Sequence, residues 1–149
     1  MDEIKRTSYC GSLGLVNVGQ NVTVMGWVDR TRDLGGVNFI DLRDREGIVQ
    51  IVINPDQANI LELSKSLRAE HVIAVEGAVL KRDKDTVNPE IKTGQIEIHA
   101  NLLRILSRSS TPPFPINKED DTAEETRLRY RYLDLRRPRM QSNIRLRHK

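Results

Sequence analysis

Residues 21–54 read NVTVMGWVDRTRDLGGVNFIDLRDREGIVQIVIN, and their alternation of apolar and polar side chains predicts three consecutive β-strands joined by short turns. Val22, Val24 and Val28 carry the first strand. Gly35-Gly36 and Arg45-Glu46-Gly47 form the two turns, with glycine where the backbone needs positive φ. Strand side chains alternate faces, so Ile40 and Leu42 point one way while Val37, Phe39, Asp41 and Arg43 point the other. In the third strand Val49, Ile51 and Ile53 share the core face, and Ile48, Gln50 and Val52 share its opposite. Phe39 therefore stands among Asp41 and Arg43 rather than in the aliphatic row. An aromatic ring on a polar sheet face, bracketed by arginines, is the most informative feature of the stretch.

Two further strands follow. Asn54-Pro55-Asp56 predicts a turn, with Asp56 as the cap of a helix from about Gln57 to about Leu67. Residues 70–81 predict a fourth strand, apolar on both faces and therefore central. Residues 82–94 form a polar loop, and residues 95–106 a fifth strand. Ile96, Ile98, Ala100 and Leu102 are expected inward there, with Gln95, Glu97, His99 and Asn101 outward. A mainly β chain of five strands with a helix between the third and fourth is the order of an OB-fold, a small Greek-key barrel. A generic five-stranded sandwich is the alternative. The barrel is assigned to residues 1–107. Residues 108–126 hold three prolines in four residues and five acids in seven, and read as a linker. Residues 127–149 read as a short helical tail with a break at Pro138.

Composition narrows the function classes. Of 149 residues, 30% are charged and 38% hydrophobic, and no apolar run approaches the roughly 20 residues that cross a bilayer. No secretory signal pattern is seen, so a cytoplasmic location and no membrane association are expected. Cys10 is the single cysteine and the three histidines lack zinc-site spacing, so neither a disulfide nor a metal site is expected. The net charge of +3 is unevenly spread. Residues 1–106 carry 13 Lys and Arg against 15 Asp and Glu, a balance of −2, whereas residues 127–147 carry eight arginines and one acid. A nucleic-acid surface on the barrel must therefore be a local patch.

The stretch GWVDRTRDLGGVNFIDLRDREGIVQIV resembles the N-terminal anticodon-binding domain of bacterial-type aspartyl-tRNA synthetases (aspartate–tRNA ligases). TSYCGSL near the N-terminus is similar to the same family, and RLRYRYLDLRRP resembles the run-in to the class II catalytic domain that follows. Asparaginyl and lysyl enzymes carry looser versions of these motifs. The resemblance implies a tRNA partner, contacted at its anticodon loop. Phe39 would stack on the middle base, Gln50 would read that base, Glu97 the first and Arg82 the third, with Arg30 and Arg32 suited to phosphate contacts or stacking beside an exposed ring. Asp33 is a candidate to orient those two arginines. Trp27 is expected to be packing, and residues 41–46 a cross-strand ion network. The tail arginines read mostly as solvated helix surface.

The resemblance also implies a longer parent that joins aspartate to tRNA with ATP and Mg2+ as a homodimer. Residues 1–149 contain none of the family's catalytic motifs, so the chain alone is expected to hold no cofactor, catalyse nothing and be monomeric. The competing reading is a free-standing single-strand-binding OB-fold protein, or the corresponding domain of an asparaginyl- or lysyl-tRNA synthetase. The acidic balance of the barrel argues against a general strand binder, which needs a basic groove.

Overall fold

The computed structural model describes residues 3–149, which divide into two compact units, one ending at Ser109 and the other running from Ser110 to Lys149. The first unit contains five strands, β1 (Asn21–Leu34), β2 (Val37–Asp44), β3 (Gly47–Ile53), β4 (Val72–Lys81) and β5 (Ile96–Ser107), with helix α1 (Ala58–Lys65) between β3 and β4. They close into a barrel in the order β1-β2-β3-β5-β4, so every strand has a neighbour on both edges. All pairings are antiparallel except β3 with β5. This is the OB-fold topology.

The interior is aliphatic. Val24, Val28, Ile40, Leu42, Val49, Ile51, Ile53, Ile73, Val75, Val79, Ile96 and Ile98 are fully buried, and each such side chain contributes about 1.5–3 kcal/mol by leaving water. Helix α1 lays Ile60, Leu61 and Leu63 against that core, and Asn38 near the start of β2 donates to Ser64 of the helix (2.7 Å). At the other end of β2 the N-terminal segment enters. Cys10 and Leu13 join the core, and the Cys10 amide donates to the Asp44 carboxylate at 2.6 Å. Gly11 is needed there, because a Cβ would lie 1.9 Å from the Glu46 carbonyl oxygen.

Two of the three register shifts in the barrel change which of the predicted residues face inward. In β1, Val28 pairs with Leu42 but Arg30 pairs with Asp41, so Asp29 is an extra, bulged residue. Without it, Arg30 and Arg32 would continue the inward parity of Val22, Val24 and Val28. With it, they stand opposite Asp41 and Phe39, on the outer face. The bulge is braced from both sides. The Val28 amide donates to the His71 carbonyl (2.9 Å), and the Glu70 amide donates to the Val28 carbonyl (2.8 Å) with Glu70 in the left-handed region at φ +69°. Arg43 then bridges the Asp29 carboxylate and Glu70, donating to Glu70 at 2.6 and 2.9 Å in a pocket almost closed to water. In β5, Leu102 pairs with Glu76 and Ala100 with Gly77, leaving Asn101 as the extra residue. Leu103 is consequently buried and Leu102 only half-buried, the reverse of the alternation expected from sequence.

The expected helix and turn are present with different capping. Gln57 occupies the N-cap of α1, and no side chain caps it, so Asp56 does not serve that role. The Gly35-Gly36 turn has both residues at positive φ (+65° and +88°), the two-residue hairpin that matches strand twist. Asp33 caps this turn by accepting from the Gly36 amide (3.2 Å) instead of orienting the arginines. The expected network over residues 41–46 resolves into separate pairs. Asp41 faces Arg30 and Arg32, Arg43 faces Asp29 and Glu70, and Arg45 pairs with Glu46 and stacks over Tyr9. Trp27 is half-buried outside the aliphatic core, in a groove with Arg6, Tyr9, Met25, Val72 and Leu106.

The second unit holds three helices, α2 (Glu124–Arg129), α3 (Arg131–Asp134) and α4 (Pro138–His148). The proline-rich and acidic stretch expected as a linker contributes buried side chains, Phe114 and Ile116. Arg137 is 1% exposed rather than solvated. Its guanidinium lies over the Phe114 ring (5.3 Å) and donates to the Lys118 carbonyl and the Asp120 carboxylate, both at 2.8 Å. A run of acids therefore folds around one buried arginine. α4 begins with Pro138 in its first turn, where the missing amide costs nothing.

Candidate nucleic-acid interface

The outer faces of β1, β2, β3 and β5 meet on one side of the barrel. Cross-strand register sets Arg32 opposite Phe39, Phe39 opposite Val52, Arg30 opposite Asp41, Asp41 opposite Gln50, and Val52 beside His99. Arg30, Arg32, Phe39, Gln50 and Arg82 all line a single open concavity of about 370 Å³, together with Leu34, Asp41 and the loop residues Thr86, Val87, Asn88 and Pro89. Glu97 stands behind Gln50, bonded to it. The six residues singled out from sequence are thus one constellation.

The Phe39 ring is half-buried, with the Arg32 guanidinium 5.8 Å from its centroid. It does not lie under the N-terminal segment, which bonds to Thr23 and Asp44 elsewhere on the barrel. An accessible ring face beside a guanidinium suits an unpaired base, which can stack on one and interact with the other. Arg32 is oriented by two acceptors, the Asp41 carboxylate (3.1 Å) and the Gln50 amide oxygen (3.1 Å). Arg30 is exposed, its guanidinium 3.7 Å from Asp41.

Gln50 points outward, yet only 7% of it is exposed. Its amide is fixed at both ends, accepting from Arg32 and donating to the Glu97 carboxylate at 3.0 Å. That leaves one N–H and one lone pair for a base edge. The other Glu97 oxygen faces His99 Nε2 at 2.8 Å, and His99 Nδ1 faces the Asn54 amide nitrogen at 3.1 Å. Neither Asn54 nor His99 was among the residues expected at the site. His99 was legible only as an outward residue two positions from Glu97.

Arg82 is a different kind of participant. Its side chain is almost buried, donating from Nε to the Ile96 carbonyl (3.0 Å) and from NH1 to the Thr86 carbonyl (3.2 Å). Burial pushes the guanidinium below the usual arginine range, an effect the nearby Glu97 and Asp41 carboxylates oppose. Arginine nevertheless stays charged at any physiological pH. Arg82 thus holds the shape of the loop whose Thr86–Pro89 segment forms one wall of the concavity. Positive and negative groups alternate around the ring, so the patch is locally basic only at Arg30, Arg32 and Arg82.

Residues 22–106 match the family described as OB-fold nucleic acid binding domain. The chain belongs to that family. The concavity therefore lies on a nucleic-acid-binding OB-fold. The chain is 56% identical over 98% of its length to the aspartate–tRNA(Asp/Asn) ligase of Halothermothrix orenii, and 53% identical over 97% to the aspartate–tRNA ligase of Staphylococcus carnosus. It spans about a quarter of the length of those ligases, 25% of each. Among solved structures it resembles the asparaginyl-tRNA synthetase of Pyrococcus horikoshii with a TM-score of 0.72 and 29% identity, covering 91% of this chain and 30% of that one. Among the described residues no helix is long and apolar enough to cross a membrane, and no group of three or more His, Cys, Asp or Glu could hold a metal ion.

Proposed function

We propose that the barrel is the anticodon-recognition domain of an aspartate–tRNA ligase, reading the anticodon loop of an aspartate tRNA in the Phe39 concavity. The observation that supports this most is the convergence of a partly exposed ring, three guanidiniums and an amide held by the Glu97 carboxylate behind it on one concave face. Splayed single-stranded bases are recognised by this combination of stacking and edge hydrogen bonds. Phe39 stacks on the middle base and Gln50 reads its edge. Glu97 accepts from the first base, Arg30 and Arg32 contact phosphate or flank the stacked ring, and Arg82 holds the wall against which the third base sits. By the genetic code an aspartate anticodon begins with guanine, whose N1–H and N2–H pair suits a carboxylate.

In this reading the parent is a cytoplasmic class II homodimer that joins aspartate to tRNA using ATP and Mg2+. Neither ATP nor Mg2+ is assigned to a residue of this chain, and the chain alone is a monomeric RNA-binding piece without catalysis. The test is titration of the chain with an aspartate anticodon stem-loop and with an unstructured oligouridine of equal length. Preference for the stem-loop is expected. Equal affinity for both would favour the single-strand binder instead.

A further inference from the structure

We infer that His99 and Asn54 are positioning residues that fix the Glu97 carboxylate, and through it the Gln50 amide, for base recognition. The inference rests on the anticodon reading for its ligand, but its structural basis is independent of it. Glu97 is held at both oxygens. Oε2 accepts from Gln50 Nε2 (3.0 Å) and Oε1 lies 2.8 Å from His99 Nε2. A carboxylate can only accept, so Nε2 must carry the ring proton. Nδ1 is then the acceptor, and the Asn54 amide N–H, 3.1 Å away, is the donor that selects this tautomer.

Donation therefore runs inward to Glu97 from two sides, Asn54 to His99 to Glu97 on one and Arg32 to Gln50 to Glu97 on the other. Each carboxylate oxygen keeps a lone pair; Oε2 also has the Arg82 Nε at 3.9 Å, so His99 is the partner that fixes Oε1 and with it the plane of the group. Asn54 follows the last residue of β3 and His99 sits on β5, so the parallel β3–β5 pairing holds this second set of bonds in register. Neither residue lines the concavity. Removing His99's donor frees the carboxylate to rotate, and the Gln50 amide loses the partner that keeps its nitrogen side turned toward Glu97.

Substitutions separate the two ring nitrogens. Glutamine places an N–H near the position of Nε2, whereas asparagine reaches only near that of Nδ1 and leucine supplies neither. The parent chain should bind a stem-loop with guanine first in the anticodon about tenfold more tightly than one with adenine there. His99→Gln should keep that ratio. His99→Asn and His99→Leu should reduce it to within about twofold, with affinity for a stem-loop lacking the first base unchanged. In the free protein, long-range 1H–15N spectra of the imidazole should show a protonated Nε2 and an unprotonated Nδ1. A parent-like ratio in His99→Asn, or a ring proton on Nδ1, would overturn the inference. A parent with no guanine preference contradicts the anticodon reading instead, and the ring spectra then decide the positioning network on their own.

Discussion

Replacing Phe39 with alanine separates folding from recognition. The ring sits outside the aliphatic core, half-buried, with its neighbours across the ladder being Arg32 and Val52. A fully buried phenylalanine hides about 150–250 Å², worth roughly 4–6 kcal/mol at about 25 cal/mol per Å². Phe39 is only partly covered, so its share falls below that figure, and the Arg32 contact adds about 0.5 kcal/mol. Relaxation of an open surface site lowers the cost further, so about 1–2 kcal/mol is expected. Ile51, fully buried between β2 and β5, should cost about 2–5 kcal/mol on truncation to alanine. Binding should order the two variants the other way. Loss of a stacked base removes about 1–3 kcal/mol, or roughly fivefold to 150-fold in Kd, while Ile51→Ala leaves the concavity lined as before wherever the protein stays folded. Phe39→Tyr and Phe39→Trp should retain most of the affinity, because any flat ring offers a face. Calorimetry and stem-loop titration by fluorescence anisotropy on the same samples make the comparison. If Phe39→Ala unfolds the barrel, or binds as tightly as the parent, the ring is structural and the stacking assignment is wrong.

Three other outcomes are expected. Arg43→Met removes the cation that Asp29 and Glu70 share and should cost about 3–5 kcal/mol, with partial recovery when Asp29→Asn and Glu70→Gln are added; melting unchanged from the unsubstituted chain would show that the bulge needs no such brace. Burial foremost, and then the adjacent Asp44 carboxylate, push the Cys10 thiol well above its ordinary range. A folded state that disfavours the thiolate has its full stability below the unfolded thiol's pKa of about 8.5 and loses stability as pH rises beyond it. The melting temperature should fall on the alkaline side in the parent and fall less in Cys10→Ser. The isolated chain should show no aspartate-dependent ATP–pyrophosphate exchange, and turnover that survives removal of residues 127–149 would contradict that expectation.

The barrel and half of the site were legible because β2, β3 and the start of β5 obey strict period-two alternation. Parity alone places Phe39, Asp41, Gln50, Glu97 and His99 on one face. The bulges were not legible. An extra residue at Asp29 or Asn101 leaves no compositional mark, since what stabilises it is distant in sequence, namely the Glu70 and His71 backbone and the Arg43 side chain for the first. Arg30 and Arg32 share a face by their spacing, but that it is the Phe39 face follows only from the bulge. Arg137 was hidden by its surroundings. One arginine among eight in a basic tail gives no sign that an acidic run and an aromatic ring enclose it. Arg82 likewise reads as a surface cation until the loop carbonyls it satisfies are in view.

In the proposed function the Phe39 concavity reads anticodon bases rather than RNA in general. Its most direct measurement is the Kd of the chain for an aspartate anticodon stem-loop against the same stem-loop carrying a different middle base, at one fixed salt concentration. The predicted result is a loss of about tenfold or more for the altered loop, abolished in Gln50→Ala. Equal affinities for the two loops in the parent chain would contradict it.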